Sequence, residues 1–380
     1  MNGKNFRDLR LAISCGGTGG HFYPGLSIAK ILKKEGGSAL LLLSGIHAQK
    51  QKKIAEECGI DAVALPEMPS PRRLKNVLKF FDGLFTGYLL AKRALKEHDI
   101  DIVLGMGSFT SLPPVFAAKK LKKRIYLHDG NARIGMANRF LSRYAEHIWT
   151  AFEAVNADKV KCPCSVIGMP IRPELAMGKV YSKAEAIAEL NSRFNAALDE
   201  KMITILVFGG SQGAQTINLI LPQYLTELPE NSCQVIHLTG PGKLEETEKA
   251  YAGCKIKHFI LEASSDMQLM YGAADFTVSR SGGSTVAELA FFGKAALLVP
   301  YPFAAENHQY DNARILEKHG GAIIADNREC SKEKFAEIIG ALLNEPQKFA
   351  EMGEKSRTAH THDAVYEILN ILNGGFQEML

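Results

Sequence analysis

The chain alternates short, strongly apolar runs with longer segments in which apolar residues recur every three or four positions. Residues 7–14, Ala39–Leu43, Ile102–Leu104, Arg124–Leu127, Ile148–Ala151 and Ser165–Ile167 are too short for helices and predict buried strands of a parallel sheet. Between them, Pro24–Lys34, Gln49–Cys58 and Pro69–Lys96 carry the helical period. The same design restarts with strands at Ile203–Phe208, Gln234–Leu238, Ile256–Phe259, Phe276–Val278 and Ala295–Val299, and with helices such as Thr216–Leu225 between them. Two rounds of strand–helix alternation predict an α/β fold of two Rossmann-like domains facing a cleft. The turn Gly168–Pro173 marks the expected boundary. It divides residues 1–172 from 173–360, and an amphipathic helix over Asp363–Leu372 in residues 361–380 is expected to return to the first domain.

Three strand ends lead into glycine-rich turns, and the chemistry is sought there. After the first strand comes Gly16-Gly17-Thr18-Gly19-Gly20-His21. No Gly-Lys-Ser/Thr follows, the G-x-G-x-x-G spacing is absent, and the next strand ends at Ser44-Gly45 without an acid for an NAD ribose. A second turn, Gly209–Ala214, follows the strand at Ile203–Phe208. The third, around Gly282 and Gly283, leads into a helix expected to start at Ser284 or Thr285. Such a start aims unpaired N–H groups and a partial positive charge at whatever lies above the strand ends, which suits a phosphate. Glu288, one turn further on, is a double acceptor suited to the vicinal hydroxyls of a ribose. His308, Gln309 and Asn312 follow the next strand end, where amide side chains suit sugar hydroxyls. One such turn would be a plain connection; the whole stretch from Ser279 to Ala313 reads as a nucleotide-sugar site.

Composition narrows the class. With 380 residues and 46% hydrophobic content the chain can build two ordinary soluble cores. Its longest apolar stretches are broken, as by Pro300 and Pro302, and fall short of the ~20 residues a bilayer needs. Leu11–Ser14 is too short for a signal peptide, so a cytoplasmic location is expected. The seven cysteines show no disulfide framework, and Cys162-Pro163-Cys164 has no second pair with which to hold a metal. The net charge of +4 conceals an asymmetry: up to Arg172 there are 27 basic against 14 acidic residues, and beyond it 18 against 27. A basic first half suggests an anionic partner there. The patterns of nucleic-acid folds are absent, so an anionic lipid surface is favoured over nucleic acid. Arg72, Arg73, Leu74, Lys75, Leu78, Lys79 and Phe81, with Phe80 beside them, would form a basic rim around apolar anchors, whereas the later turns of that helix read as core-facing. Four such cations at about 1 kcal/mol each give reversible attachment.

Gly16–His21 with Pro24-Gly25, Gly209–Ala214, Arg280-Ser281-Gly282 with Thr285 and Glu288, and His308-Gln309 with Asn312-Ala313 together resemble the MurG family, N-acetylglucosaminyltransferases of peptidoglycan synthesis. The resemblance runs from the first strand to about Leu316. It implies the glycosyltransferase B fold and an inverting, metal-independent transfer without a cofactor. The donor would be UDP-N-acetylglucosamine and the acceptor the muramyl C4 hydroxyl of the polyprenyl-diphosphate-linked lipid I, giving lipid II. Peripheral attachment to the cytoplasmic face of the plasma membrane is implied as well.

Position by position, the resemblance implies that Thr18, Gly19 and Gly20 lie near the donor diphosphate and that His21 and Asp129 are catalytic. His21 is either a general base or a hydrogen-bond donor to phosphate. Asn131 and Arg172 would contact the donor, Ser211 the diphosphate, and Gly283, Ser284, Thr285, Val286, Ala287 and Glu288 the diphosphate and ribose. Uracil would meet backbone near Ile260, and Gln309 the N-acetylglucosamine hydroxyls. The chain departs from the family pattern at His128-Asp129-Gly130-Asn131, where His-Glu-Gln-Asn is usual, at Gly107-Ser108-Phe109 for Gly-Gly-Tyr, and at Gly168-Met169-Pro170 for Gly-Asn-Pro. These departures bear on the acceptor more than on the donor. A glycosyltransferase for another lipid acceptor and a UDP-N-acetylglucosamine 2-epimerase are the rival readings.

Overall fold

The computed structural model describes residues 6–69, 76–210, 214–360 and 363–374. Its described residues form two compact units, one reaching Pro173 and taking up the chain again after His360, the other running from Glu174 to His360.

In the first unit the strands are β1 (Arg10–Gly16), β2 (Ser38–Ser44), β3 (Asp61–Ala64), β4 (Ile102–Gly105), β5 (Arg124–Asp129), β6 (His147–Thr150) and β7 (Cys164–Val166). They pair in the order β3-β2-β1-β4-β5-β6-β7, every pair parallel. β1 sits between β2 and β4, with Leu11 in register with both Ala39 and Ile102. The chain therefore leaves the sheet centre in opposite directions, and the carboxyl ends of β1 and β4 flank a topological switch point, where open α/β sheets bind ligands.

The second unit contains β8 (Thr204–Phe208), β9 (Gln234–Leu238), β10 (Lys257–Leu261), β11 (Phe276–Ser279), β12 (Ala295–Leu298) and β13 (Ala322–Ile324). Their order is β10-β9-β8-β11-β12-β13, again all parallel, with the switch point at the ends of β8 and β11. The expectation of two Rossmann-like α/β domains is met. β3 and β13, edge strands of three or four residues, escaped the sequence reading.

Two helices differ from expectation in ways that matter. The first spans Gly19–Lys34 and begins five residues before Pro24. Glycines at its start hide the helical signal, and Pro24, lying inside the helix, has no N–H to give the Gly20 carbonyl. The helix Val77–Glu97 buries Phe80, Gly83, Gly87, Ala91 and Ala94. A Cβ on Gly83 would lie 2.6 Å from the Glu67 carbonyl oxygen, and one on Gly87 would lie 3.2 Å from the Pro113 ring. The small residues on this face let the helix approach its neighbours closely, with Phe80 and Leu95 reaching the core at its two ends and other large apolar side chains on the opposite side. Leu78 (84% exposed), Phe81 (58%), Phe85 (63%) and Leu89 therefore face solvent. The core-facing reading of the later turns holds for Gly87, Ala91, Ala94 and Leu95 and fails for Phe85 and Leu89; Phe80, edge-on to both Phe81 and Phe109, is buried and is no surface anchor beside Phe81.

After residue 360 the chain rejoins the first unit. Val365, Ile368, Leu369 and Leu372 share one core cluster with Ile28, Ile31 and Leu32 of the first helix. Burying each such aliphatic side chain contributes about 1.5–3 kcal/mol. The Tyr366 hydroxyl adds a 2.9 Å hydrogen bond to Glu35.

Candidate functional site

At the carboxyl end of β1 the chain turns through Gly16 and Gly17 into the helix start at Gly19. Thr18, at the N-cap position, makes no side-chain cap bond; its hydroxyl instead pairs with His21 Nδ1 at 3.1 Å. The N–H groups of Gly19 and Gly20 belong to the first turn, where no intrahelical acceptor exists, and no acidic residue lies in that turn. An anion is the natural complement. His21 lies against the β4 loop: a Cβ on Gly107 would come within 3.4 Å of His21 Nε2. On the same helix, the Tyr23 ring carries the Arg172 guanidinium 5.4 Å from its centroid. Thr18, Gly19, Gly20, His21 and Arg172 are thus gathered around one helix start.

His128 and Asp129, at the end of β5, have different surroundings. His128 is fully buried, its Nε2 2.9 Å from the Gly168 carbonyl oxygen. Burial pushes its imidazole below the ordinary histidine value, so it stays neutral. Asp129 is only 5% exposed. Its Oδ1 accepts from the Asn131 backbone and side-chain amides at 3.2 and 3.3 Å. Its Oδ2 accepts from the Gly135 N–H at 2.8 Å and from Asn138 Nδ2 at 3.0 Å. Four donors fill the positions a carboxylate offers, so this side chain braces the turn that carries Asn131. Two of the departures from the family pattern meet here: a Cβ on Gly130 would lie 2.8 Å from Met169 Cε, so the methionine occupies space that a larger residue at 130 would need.

In the second unit, β11 ends at Ser279, Gly282 caps the next helix, and the helix runs Gly283–Phe292. The Val286 N–H already bonds the Gly282 carbonyl at 3.0 Å, so the outward donors are those of Gly283, Ser284 and Thr285. Val286 and Ala287 turn their side chains into the packed interior. Their N–H groups lie one turn inside the helix, so a contact of these two with a bound nucleotide stays an expectation. The buried Ser284 hydroxyl finds no hydrogen-bond partner among the described residues. Glu288 follows one turn later, its Oε2 accepting from the Tyr271 hydroxyl at 2.9 Å.

Gln309 lies on the helix His308–Lys318, and its Oε1 accepts from the Tyr301 N–H at 2.9 Å. Asn312 is fully buried and donates to the Ser281 carbonyl, so it serves as a brace and not as a sugar ligand. Ser281 in turn donates to the Gln309 carbonyl at 2.7 Å. Arg280 donates to the carbonyls of Val299 and Pro300 and to Asn327 Oδ1, with its guanidinium over the Tyr301 ring. These bonds tie the end of β11 to the loop after β12. Tyr271, Arg280, Ser281 and Tyr301 were missed as supports of the site, because only the fold brings them beside Glu288 and Gln309. Ile260 lies partly exposed on the edge strand β10. Ser211 and the basic residues Arg72, Arg73 and Lys75, with Leu74, lie outside the described residues. Lys79 is exposed beside Leu78 and Phe81. Among the described residues no helix is long and apolar enough to cross a membrane.

Comparison with known proteins agrees with this geometry. Residues 11–150 match the glycosyltransferase family 28 N-terminal domain, and residues 204–368 match the glycosyltransferase family 28 C-terminal domain. A UDP-N-acetylglucosamine--N-acetylmuramyl-(pentapeptide) pyrophosphoryl-undecaprenol N-acetylglucosamine transferase from Carboxydothermus hydrogenoformans is 32% identical over 371 residues, covering 96% of this chain and 97% of the relative. One of the same name from Neisseria meningitidis serogroup B is 33% identical, covering 97% and 98%. Among solved structures, Acinetobacter baumannii MurG superposes with a TM-score of 0.74 at 26% identity, covering 96% of this chain and 98% of that one. UDP-GlcNAc 2-epimerase from Neisseria meningitidis superposes with a TM-score of 0.67 over 96% of this chain and all of that one, but at 12% identity it shares the fold alone. Both domain matches, in order, together with identity sustained over nearly the whole length of the relatives, show that the chain belongs to glycosyltransferase family 28.

Proposed function

We propose that the enzyme transfers N-acetylglucosamine from UDP-N-acetylglucosamine to the C4 hydroxyl of the muramyl sugar of lipid I, with inversion at the anomeric carbon, giving lipid II. The observation that carries this reading is the 32–33% identity, over 96–97% of this chain, to transferases named for this donor sugar and lipid acceptor. The epimerase alternative has only a shared fold behind it.

In this mechanism the second unit holds the nucleotide. The N–H groups of Gly283, Ser284 and Thr285 meet the diphosphate, Glu288 the ribose hydroxyls, Gln309 the sugar and Ile260 the base. Ser211 is kept as a further diphosphate contact. The first unit supplies Thr18, Gly19, Gly20, Asn131 and the cation Arg172 toward the donor, and His21 toward the acceptor hydroxyl. A transferase must lower its barrier by at least ~8 kcal/mol, of which one helix terminus supplies about 1–2. Several preorganised donors aimed at the charge building on the departing diphosphate are therefore needed. A general base adds about 3–5 kcal/mol, equivalent to 10²–10⁴-fold. His21 is the better base: its Nε2 side faces the glycine loop after β4, whereas Asp129 has its acceptor positions filled.

The exposed stripe Leu78, Phe81, Phe85 and Leu89, with Lys79 beside it, is the surface proposed to rest on the anionic cytoplasmic face of the plasma membrane. Two measurements test the finer claims. Proton NMR of the disaccharide product should show a β linkage, and an α linkage would refute inversion. Co-sedimentation with anionic vesicles should fall in Phe81→Ser/Phe85→Ser, and unchanged sedimentation would refute the membrane face.

A further inference from the structure

Beneath Glu288 lies a side chain with no assigned part in the reaction. Tyr271 belongs to the short helix Met267–Ala273 and is fully buried. Its ring stacks on Phe292 at 4.7 Å and 18°, and stands edge-on to Phe208 at 6.1 Å and 82°. Phe208 is the last residue of β8 and Phe292 the last of the helix Gly283–Phe292, so the ring is fixed by elements that also carry the nucleotide loops. Its hydroxyl donates to Glu288 Oε2 at 2.9 Å.

A glutamate on a helix surface samples many rotamers, and ordering it to meet a ligand opposes binding. A buried phenol aimed at one carboxylate oxygen removes much of that freedom before the ligand arrives. We infer that Tyr271 is a positioning residue: it fixes the Glu288 carboxylate in the orientation that receives the two ribose hydroxyls of the donor nucleotide. This inference rests on the reading of Glu288 as the ribose ligand. It makes Tyr271 a determinant of nucleotide recognition that never touches the nucleotide.

The test separates positioning from packing by changing the ligand as well as the protein. Calorimetric titrations of the full chain compare UDP with 2′,3′-dideoxy-UDP on wild type, Glu288→Ala, Tyr271→Phe and the double variant. Tyr271→Phe keeps the stacked ring and removes only the hydroxyl. It should weaken UDP by about five- to tenfold, the worth of one ordinary hydrogen bond, because only the ordering of Glu288 is lost, and leave dideoxy-UDP within about twofold. In the Glu288→Ala background the tyrosine change should have no further effect. Equal losses for both nucleotides would show a packing role only, and no loss for either would show no role; each overturns the inference. If Glu288→Ala itself weakens both nucleotides equally, the ribose reading fails, and this inference with it. That result is read on a different variant from the one that tests positioning.

Discussion

Asp129 is the residue whose part the geometry redefines most sharply, and replacing it with alanine tests that redefinition. The carboxylate accepts four hydrogen bonds inside its own unit. Two of those donors have ready access to water or a local substitute after mutation, because Asn131 is half-buried. The other two are less fortunate: Asn138 is only 1% exposed, and the Gly135 N–H sits at the start of the helix Met136–Leu141. Hydrogen bonds to a charged acceptor contribute about 1.5–3 kcal/mol each, so losing the second pair should cost the first unit about 3 kcal/mol. For a unit of this size that corresponds to a fall of about 6–12 °C in Tm. Differential scanning calorimetry and urea unfolding of Asp129→Ala measure it directly. A variant that melts like wild type while losing turnover would refute the bracing role and restore Asp129 as a chemical group.

His21→Ala should behave in the opposite way, losing ~10²–10⁴-fold in turnover while its UDP affinity stays within about twofold; a matching loss of UDP affinity would make it a phosphate ligand instead. Ser108 adopts φ 63° and ψ 164°, a region that favours glycine, so Ser108→Gly should raise stability by about 1 kcal/mol in urea titrations, and a fall would show that the serine side chain compensates for its backbone. His237 is fully buried between Tyr251 and Asn218, and burial lowers its pKa from 6.5 to about 3. The unfolded chain binds this proton where the folded chain does not, so stability is lost as pH falls below about 6.5, reaching about 2 kcal/mol at pH 5. A His237 ring resonance that titrates near 6.5 in the folded protein would contradict this.

Much of the fold was legible because parallel strands buried on both faces write themselves as continuous apolar runs, as Ala295–Val299 does to within one residue of β12. β3 was not read, although Asp61-Ala62-Val63-Ala64 carries three apolar residues. The helix at Gly19 was read late because glycines, needed where the backbone approaches a ligand, carry no helical preference. In the turn after β11 the motif residues Gly283 to Glu288 could be found from spacing, but spacing does not say that the Val286 N–H is consumed by the Gly282 carbonyl. The supports Tyr271 and Arg280 become visible only when the ends of β8, β11 and β12 are brought together. Helix Val77–Glu97 misled for another reason: between Phe80 and Leu95 its buried face is made of glycine and alanine, so the large apolar residues Phe81, Phe85 and Leu89 mark the outside.

The proposed function requires transfer to a lipid-linked muramyl acceptor. The decisive measurement is UDP release from UDP-N-acetylglucosamine by the purified chain, with and without a short-chain lipid I analogue, in the presence of EDTA. Release should depend on the analogue, match disaccharide formation and survive EDTA. A chain that binds UDP and the analogue yet forms no disaccharide, or that needs a divalent metal to do so, would contradict the proposal.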